Sequence, residues 1–181
     1  MINVKTHPLK NKQLRQALSL ALDRREIVEH VLRIGGTPAT GFLSGCLRLS
    51  NQNLVRENKA QAKQLFAAAL KELNLTLESL PILTISHRNL PRTAKIMAAI
   101  QGQWQKTLGI RVQLKSRDYK AHMAALFASD YEIGDVTWCS KVKDPIYMPS
   151  FFLDAEAKIN DMNKLLSINL APCQVINSIL L

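Results

Sequence analysis

The 181-residue chain has only 7 glycines, 7 prolines and 3 cysteines, and aromatic residues make up 6% of it. So few chain breakers beside 47% apolar residues exclude a collagen-like or low-complexity polymer. The composition is that of a globular protein with one sizeable core, or of one lobe of something larger. Cys46, Cys139 and Cys173 are far apart, with no Cys-x-x-Cys pair and no Cys/His cluster, so zinc-ligand spacing is lacking. No metal and no cofactor is expected. His7, His30, His87 and His122 share no metal spacing either, and all four are expected at the surface or its boundary. No apolar run approaches about 18 residues. The N-terminal stretch MINVKTHPLK lacks the hydrophobic segment of a secretion signal, so the chain as written is expected in the cytoplasm.

Acidic residues are the scarcer charge: 14 Asp+Glu face 24 Lys+Arg, for a net charge of +10. That balance attracts nucleic acid, anionic lipid or acidic partners without choosing among them. The basic residues are spread along the chain, with no block of five or six and no interleaved aromatics. A solvated basic surface is the expectation. A basic intracellular protein that binds nucleic acid or anionic surfaces through net charge is the alternative, and a steep salt dependence of binding would mark it.

What the chain does contain is periodic. Asn11 can cap a helix whose apolar positions Leu14, Ala17, Leu18, Ala21 and Leu22 follow the helical spacing. Asp23-Arg24-Arg25-Glu26 reads as a reciprocal capping box that opens a second helix, with Ile27, Val28, Val31 and Leu32 inward and Gly35-Gly36 as its stop. From Thr37 to Asn58 no period holds, and Pro38, Gly41 and Gly45 mark a long loop. Helix resumes over residues 59–73. Residues 81–87 form a strand candidate, and 91–108 a helix stopped by Gly109, with Ile96, Ile100, Trp104 and Leu108 on one side. Trp104 is expected to be buried against the sheet. Residues 110–115 alternate as a second strand, Asp118 caps a short helix through Phe127, and 131–138 form a third strand. The order β-α-β-α-β with helical connections predicts parallel strands and an α/β sandwich lobe. Ligands of open α/β sheets sit beyond the carboxyl ends of the strands. The stretch YEIGDVTWCSKVKDP, residues 131–145, begins as a strand and ends as a charged turn at such an edge.

Four stretches in order, LRQALSLALDRREIVEHVLRIGGTPATGF, KAQAKQLFAAALKEL, IQGQWQKTLGIRVQL and YEIGDVTWCSKVKDP, together resemble the periplasmic oligopeptide-binding proteins, the family 5 solute-binding proteins of ABC importers. The resemblance covers roughly residues 2–153 and implies a periplasmic binding protein-like II fold of which only the second lobe is present, incomplete. Residues 1–153 are expected to form that partial lobe, and 154–181 a divergent tail. The implied function is the binding component, or a non-functional fragment of one, of an ABC-type oligopeptide transport system. Its implied partners are an extended peptide, the importer's membrane subunits and a separately supplied first lobe, with no nucleic acid. Its implied location is the periplasm.

The resemblance also implies ligand-binding residues. Thr137, Trp138 and Cys139 correspond to a segment that offers backbone N–H and C=O groups to a peptide main chain, which grips many sequences without reading their side chains. Trp138 could also wall a side-chain pocket, although a Trp at a strand end more often packs into a core. Lys141 stands where peptide-binding members commonly carry an Asp that pairs with the ligand's ammonium group, and Asp135 where some carry Arg. A lysine at that place repels a peptide N-terminus, but a solvated loop lysine is the plainer reading. Cys139 matches a family cysteine whose disulfide partner precedes this chain, so it is expected as a buried free thiol. With no neighbouring base indicated for it, catalytic residues are not expected, and neither is enzymatic activity.

Overall fold

The computed structural model describes residues 1–33, 38 and 56–136. The loop expected over 37–58, Gly35-Gly36, the three cysteines, residues Thr137, Trp138 and Lys141, and the tail over 154–181 therefore lie wholly or largely outside the described residues.

The Asn11 side chain accepts from the Leu14 N–H at 2.9 Å and opens α1 (Lys12–Leu20), as its sequence predicts. Asp23 does the same for α2 (Arg24–Glu26), accepting from the Glu26 N–H at 2.9 Å. The reciprocal half of the box is different. Glu26 does not reach back; the Asp23 N–H donates instead to the Gln103 side chain at 2.9 Å, and the Gln103 amide donates to Asp23 O at 3.2 Å and Glu26 Oε2 at 2.9 Å. A residue 80 positions away thus completes the cap, because a tertiary neighbour offers donor and acceptor together. Beyond Glu26 the helix widens into a π-helical segment, Ile27–Leu32, and it ends on Arg33 in the left-handed conformation (φ 51°). The stop therefore falls two residues before the glycine pair expected to supply it.

The next helix, α3 (Lys59–Glu72), starts on an Asn58 cap and packs along α1. The most regular part follows. Strand β1 is Leu83–Arg88, α4 is Pro91–Leu108 closed by Gly109 (φ 71°), β2 is Val112–Arg117, and α5 is Tyr119–Phe127 behind an Asp118 cap. Both strands begin about two residues later than the alternation suggests. Strand β3, expected over eight residues, is two within the described chain: Ile133–Gly134.

All pairings among the three strands are parallel, in the order β2-β1-β3. Ile85 pairs with Ile133 and Ser86 with Gly134. Ile85 and Ile133 point into the main core with Leu14, Leu18, Phe66, Ile96, Ile100 and Trp104. Strand alternation then turns Ser86 and Gly134 to the other face. There a Cβ on Gly134 would stand 2.5 Å from a Leu126 methyl, which places α5 against that face, opposite α4. The result is an α/β sandwich with α1, α3 and α4 on one side of the sheet and α5 on the other. Gly134→Ala is expected to cost about 1 to 2 kcal/mol, because the buried Leu126 must give way; an unchanged urea midpoint would show that α5 is not seated so closely.

One element has no sequence signal. The N-terminal segment runs antiparallel beside β3, with an Ile2–Ile133 bridge and a backbone bond from Asn3 N–H to Glu132 O at 2.8 Å. The buried Asn3 amide donates to the carbonyls of Ser129 (3.1 Å) and Tyr131 (3.0 Å), fixing the turn that leads into β3.

Candidate functional site at the carboxyl edge of the sheet

Strand β1 is central. The chain leaves it through α4 to reach β2 on one side and returns through α5 to β3 on the other, so the order reverses between β1 and β3. In open α/β sheets this is the place where a crevice forms beyond the strands' carboxyl ends. Residues His87 and Arg88 end β1 there, and Asp135 follows β3 directly.

Asp135 is held at each of its polar groups. Its N–H donates to Ser86 O at 2.9 Å, its carbonyl lies 2.6 Å from His122 Nε2, and its carboxylate accepts from Arg88 Nε at 2.7 Å and Nη2 at 3.4 Å. The two side chains of the ion pair are only 19% and 9% exposed. A forked pair so shielded keeps its geometry better than a surface pair does. Asp135, expected from the resemblance as a ligand-binding position, therefore has its charge matched from within by Arg88.

His122 and His87 correct the expectation of surface histidines. His122 is 0% exposed and His87 4% exposed, whereas His7 and His30 are exposed. Both buried rings have backbone partners that lower the cost of burial: Asp135 O for His122, and Arg88 O, 2.9 Å from Nδ1, for His87. A single sequence carries little sign of this, since the carbonyls belong to residues that only the fold brings near. Asp135 is named from the resemblance alone, and its partners Arg88, His122 and Ser86 are not named with it. Among the described residues no group of three or more His, Cys, Asp or Glu side chains could hold a metal ion, and no helix is long and apolar enough to cross a membrane.

The Met1 amine lies under the same edge, donating to Gly134 O at 2.7 Å. Burial pushes its pKa down from 8.0 to about 6, with the Asp135 charge opposing the shift. In that interval the unfolded amine binds more protons than the folded one. Stability of the 181-residue polypeptide is therefore expected to fall by about 2 to 3 kcal/mol as pH drops from above 8 to below 6. Urea titrations at the two extremes test this, and acetylation of Met1 should remove that share of the pH dependence; an unchanged difference after acetylation would refute the assignment.

Residues 1–160 match the family model described as bacterial extracellular solute-binding proteins, family 5 Middle. The oligopeptide-binding protein OppA of Bacillus subtilis (strain 168) is 31% identical over 164 residues, which is 88% of this chain and 30% of that protein. A solved structure of a periplasmic oligopeptide-binding protein, OppAIV of Borrelia burgdorferi, is 29% identical with a TM-score of 0.69, over 91% of this chain and 34% of that one. The murein tripeptide-binding protein MppA of Escherichia coli shares the fold at 23% identity, with a TM-score of 0.76 over 88% of this chain and 32% of its own. The chain thus spans about a third of the length of the proteins it matches. Relatives of this kind are solute-binding proteins and not enzymes, and none of those named is a nucleic-acid-binding protein. With a match that runs from Met1 through both helical layers, the sheet and its carboxyl edge, this chain belongs to the family 5 bacterial extracellular solute-binding proteins.

Proposed function

We propose that this chain forms the second lobe of a two-lobed peptide receptor that serves an ABC-type importer outside the cytoplasmic membrane. The observation that carries the reading is the reversal of strand order between β1 and β3. It sets their carboxyl ends side by side, and the sequence that leaves β3 continues through Asp135 directly into Thr137, Trp138 and Cys139. In this reading those three residues give main-chain hydrogen bonds to an extended peptide, as an added strand would, and recognition is independent of peptide side chains. Asp135 takes part by holding the segment in place, its carboxylate being matched by Arg88. Residues 1–153 make up the lobe and 154–181 a separate tail. Lys141 faces the ligand with the charge opposite to that expected for pairing with a peptide ammonium. A first lobe closes over the other face of the ligand, and the importer's membrane subunits receive it.

Amide-resolved NMR titration of the labelled chain with an equimolar mixture of tri- to pentapeptides tests the reading. Shifts are expected at Arg88, Asn89, Asp135 and Val136, and not along α3, with saturation only in the millimolar range. One lobe leaves half the ligand solvated while the ordering cost of binding stays nearly whole. Absence of shifts at the carboxyl edge would overturn the peptide reading, and micromolar saturation would overturn the two-lobe reading. Lys141→Asp should tighten binding of peptides with a free N-terminus by about 1 to 3 kcal/mol.

A further inference from the structure

Among the described residues β3 pairs with β1 over two residues and with the N-terminal segment through one bridge, so the chain leaving it depends on further contacts. The next residue, Asp135, is fixed from two elements: from β1 through Ser86 O and the Arg88 side chain, and from α5 through His122. Of these, the His122 contact alone ties the strand's exit to the helix on the α5 face.

The geometry of that contact is specific. A carbonyl oxygen only accepts, so at 2.6 Å from Asp135 O the Nε2 of His122 carries the proton. The ring is 0% exposed, and Nδ1 is buried with no hydrogen-bond partner among the described residues. An apolar residue would fill this site without that cost. The bond from the ring's other nitrogen to the backbone of Asp135 offsets part of that cost.

We infer that His122 is a positioning residue of the ligand site: its Nε2–H holds the Asp135 carbonyl and thereby fixes the backbone where the chain leaves β3 on its way to Thr137. The inference deepens the peptide-receptor reading and rests on it for its functional meaning, but its physical content is independent of any ligand.

The test uses the full chain and three versions of residue 122: the native histidine, His122→Gln, which keeps a side-chain N–H donor, and His122→Leu, which does not. Hydrogen exchange at the Asp135 amide should be about tenfold faster in His122→Leu than in the native chain, while amides of α1 and α4 keep their protection. His122→Gln should restore most of the protection. In the native chain the ring nitrogen shifts should report the Nε2–H tautomer. Unaltered Asp135 exchange in His122→Leu, an Nδ1–H tautomer, or equal exchange in the Gln and Leu versions would each overturn the inference. If His122→Leu loses protection uniformly, through global destabilisation, the tautomer and the rescue by Gln decide the matter. The peptide titration is run in parallel. Native shifts at the carboxyl edge that weaken in His122→Leu and return in His122→Gln support the role in binding. Native shifts that are the same in all three versions refute it. Absence of native shifts refutes the peptide reading, and the exchange results still decide whether His122 holds Asp135.

Discussion

Trp104→Ala is expected to lower the stability of the chain by about 3 to 5 kcal/mol, the largest effect of any single substitution considered. The indole is 0% exposed and lies in the main core with Ile96, Ile100, Leu14 and Leu18. Its removal opens a cavity in the core where α4 meets the end of α1. It also removes a hydrogen bond. Near the end of α1 the Leu22 N–H turns to Ser19 O at 3.4 Å, and the Leu18 carbonyl accepts instead from Trp104 Nε1 at 2.8 Å. The indole thus satisfies a buried helix-end carbonyl that the helix itself does not. Trp104→Phe separates the two contributions: it keeps most of the volume, and its expected cost is about 1 to 2 kcal/mol. Urea unfolding of the three proteins measures both, and a loss under about 1 kcal/mol for Trp104→Ala would show that the tryptophan is not the keystone between α1 and α4.

This tryptophan also shows what kind of information the sequence holds. Its burial follows from helical periodicity, as do α1, α3, α4 and α5, because apolar spacing and Asn or Asp caps are local features. Parallel pairing follows from the helical connections. The partners of polar groups are another matter. Gln103 completes the cap at Asp23 and the indole reaches Leu18, and in each case chain neighbours 80 or more positions apart meet only in the fold. The same holds at the carboxyl edge. Asp135 is named from the resemblance and falls inside the expected third strand, and the charge that neutralises it comes from Arg88, 47 residues earlier. The helix ending at Arg33 was misread for a different reason. A glycine pair is the stronger stop signal, yet Arg33 takes the left-handed conformation directly after the π-helical turn, its N–H donating to Val28 O at 3.2 Å.

Loss of the Arg88–Asp135 pair should be the next most costly change. Asp135→Ala is expected to destabilise the chain by about 3 kcal/mol, because it leaves a mostly shielded guanidinium at the carboxyl edge of the sheet without its carboxylate. The Met1 amine, whose pKa the Asp135 charge raises, loses the same neighbour. Arg88 has interactions besides this pair, so its own substitution does not measure the pair's strength. A double-mutant cycle does. With Arg88→Met and Asp135→Ala made singly and together, the contributions that Arg88 makes elsewhere cancel, and the coupling is expected at about 1 to 3 kcal/mol. Shielding from solvent should also keep most of that coupling between 0.1 and about 0.5 M salt, where an exposed pair would lose it. A coupling near zero, or one abolished by salt, would mean that the fork is an exposed and replaceable contact. Asp135 would then be available to a ligand's charge, and the crevice would select its solutes by charge at this position and not by main-chain contacts alone.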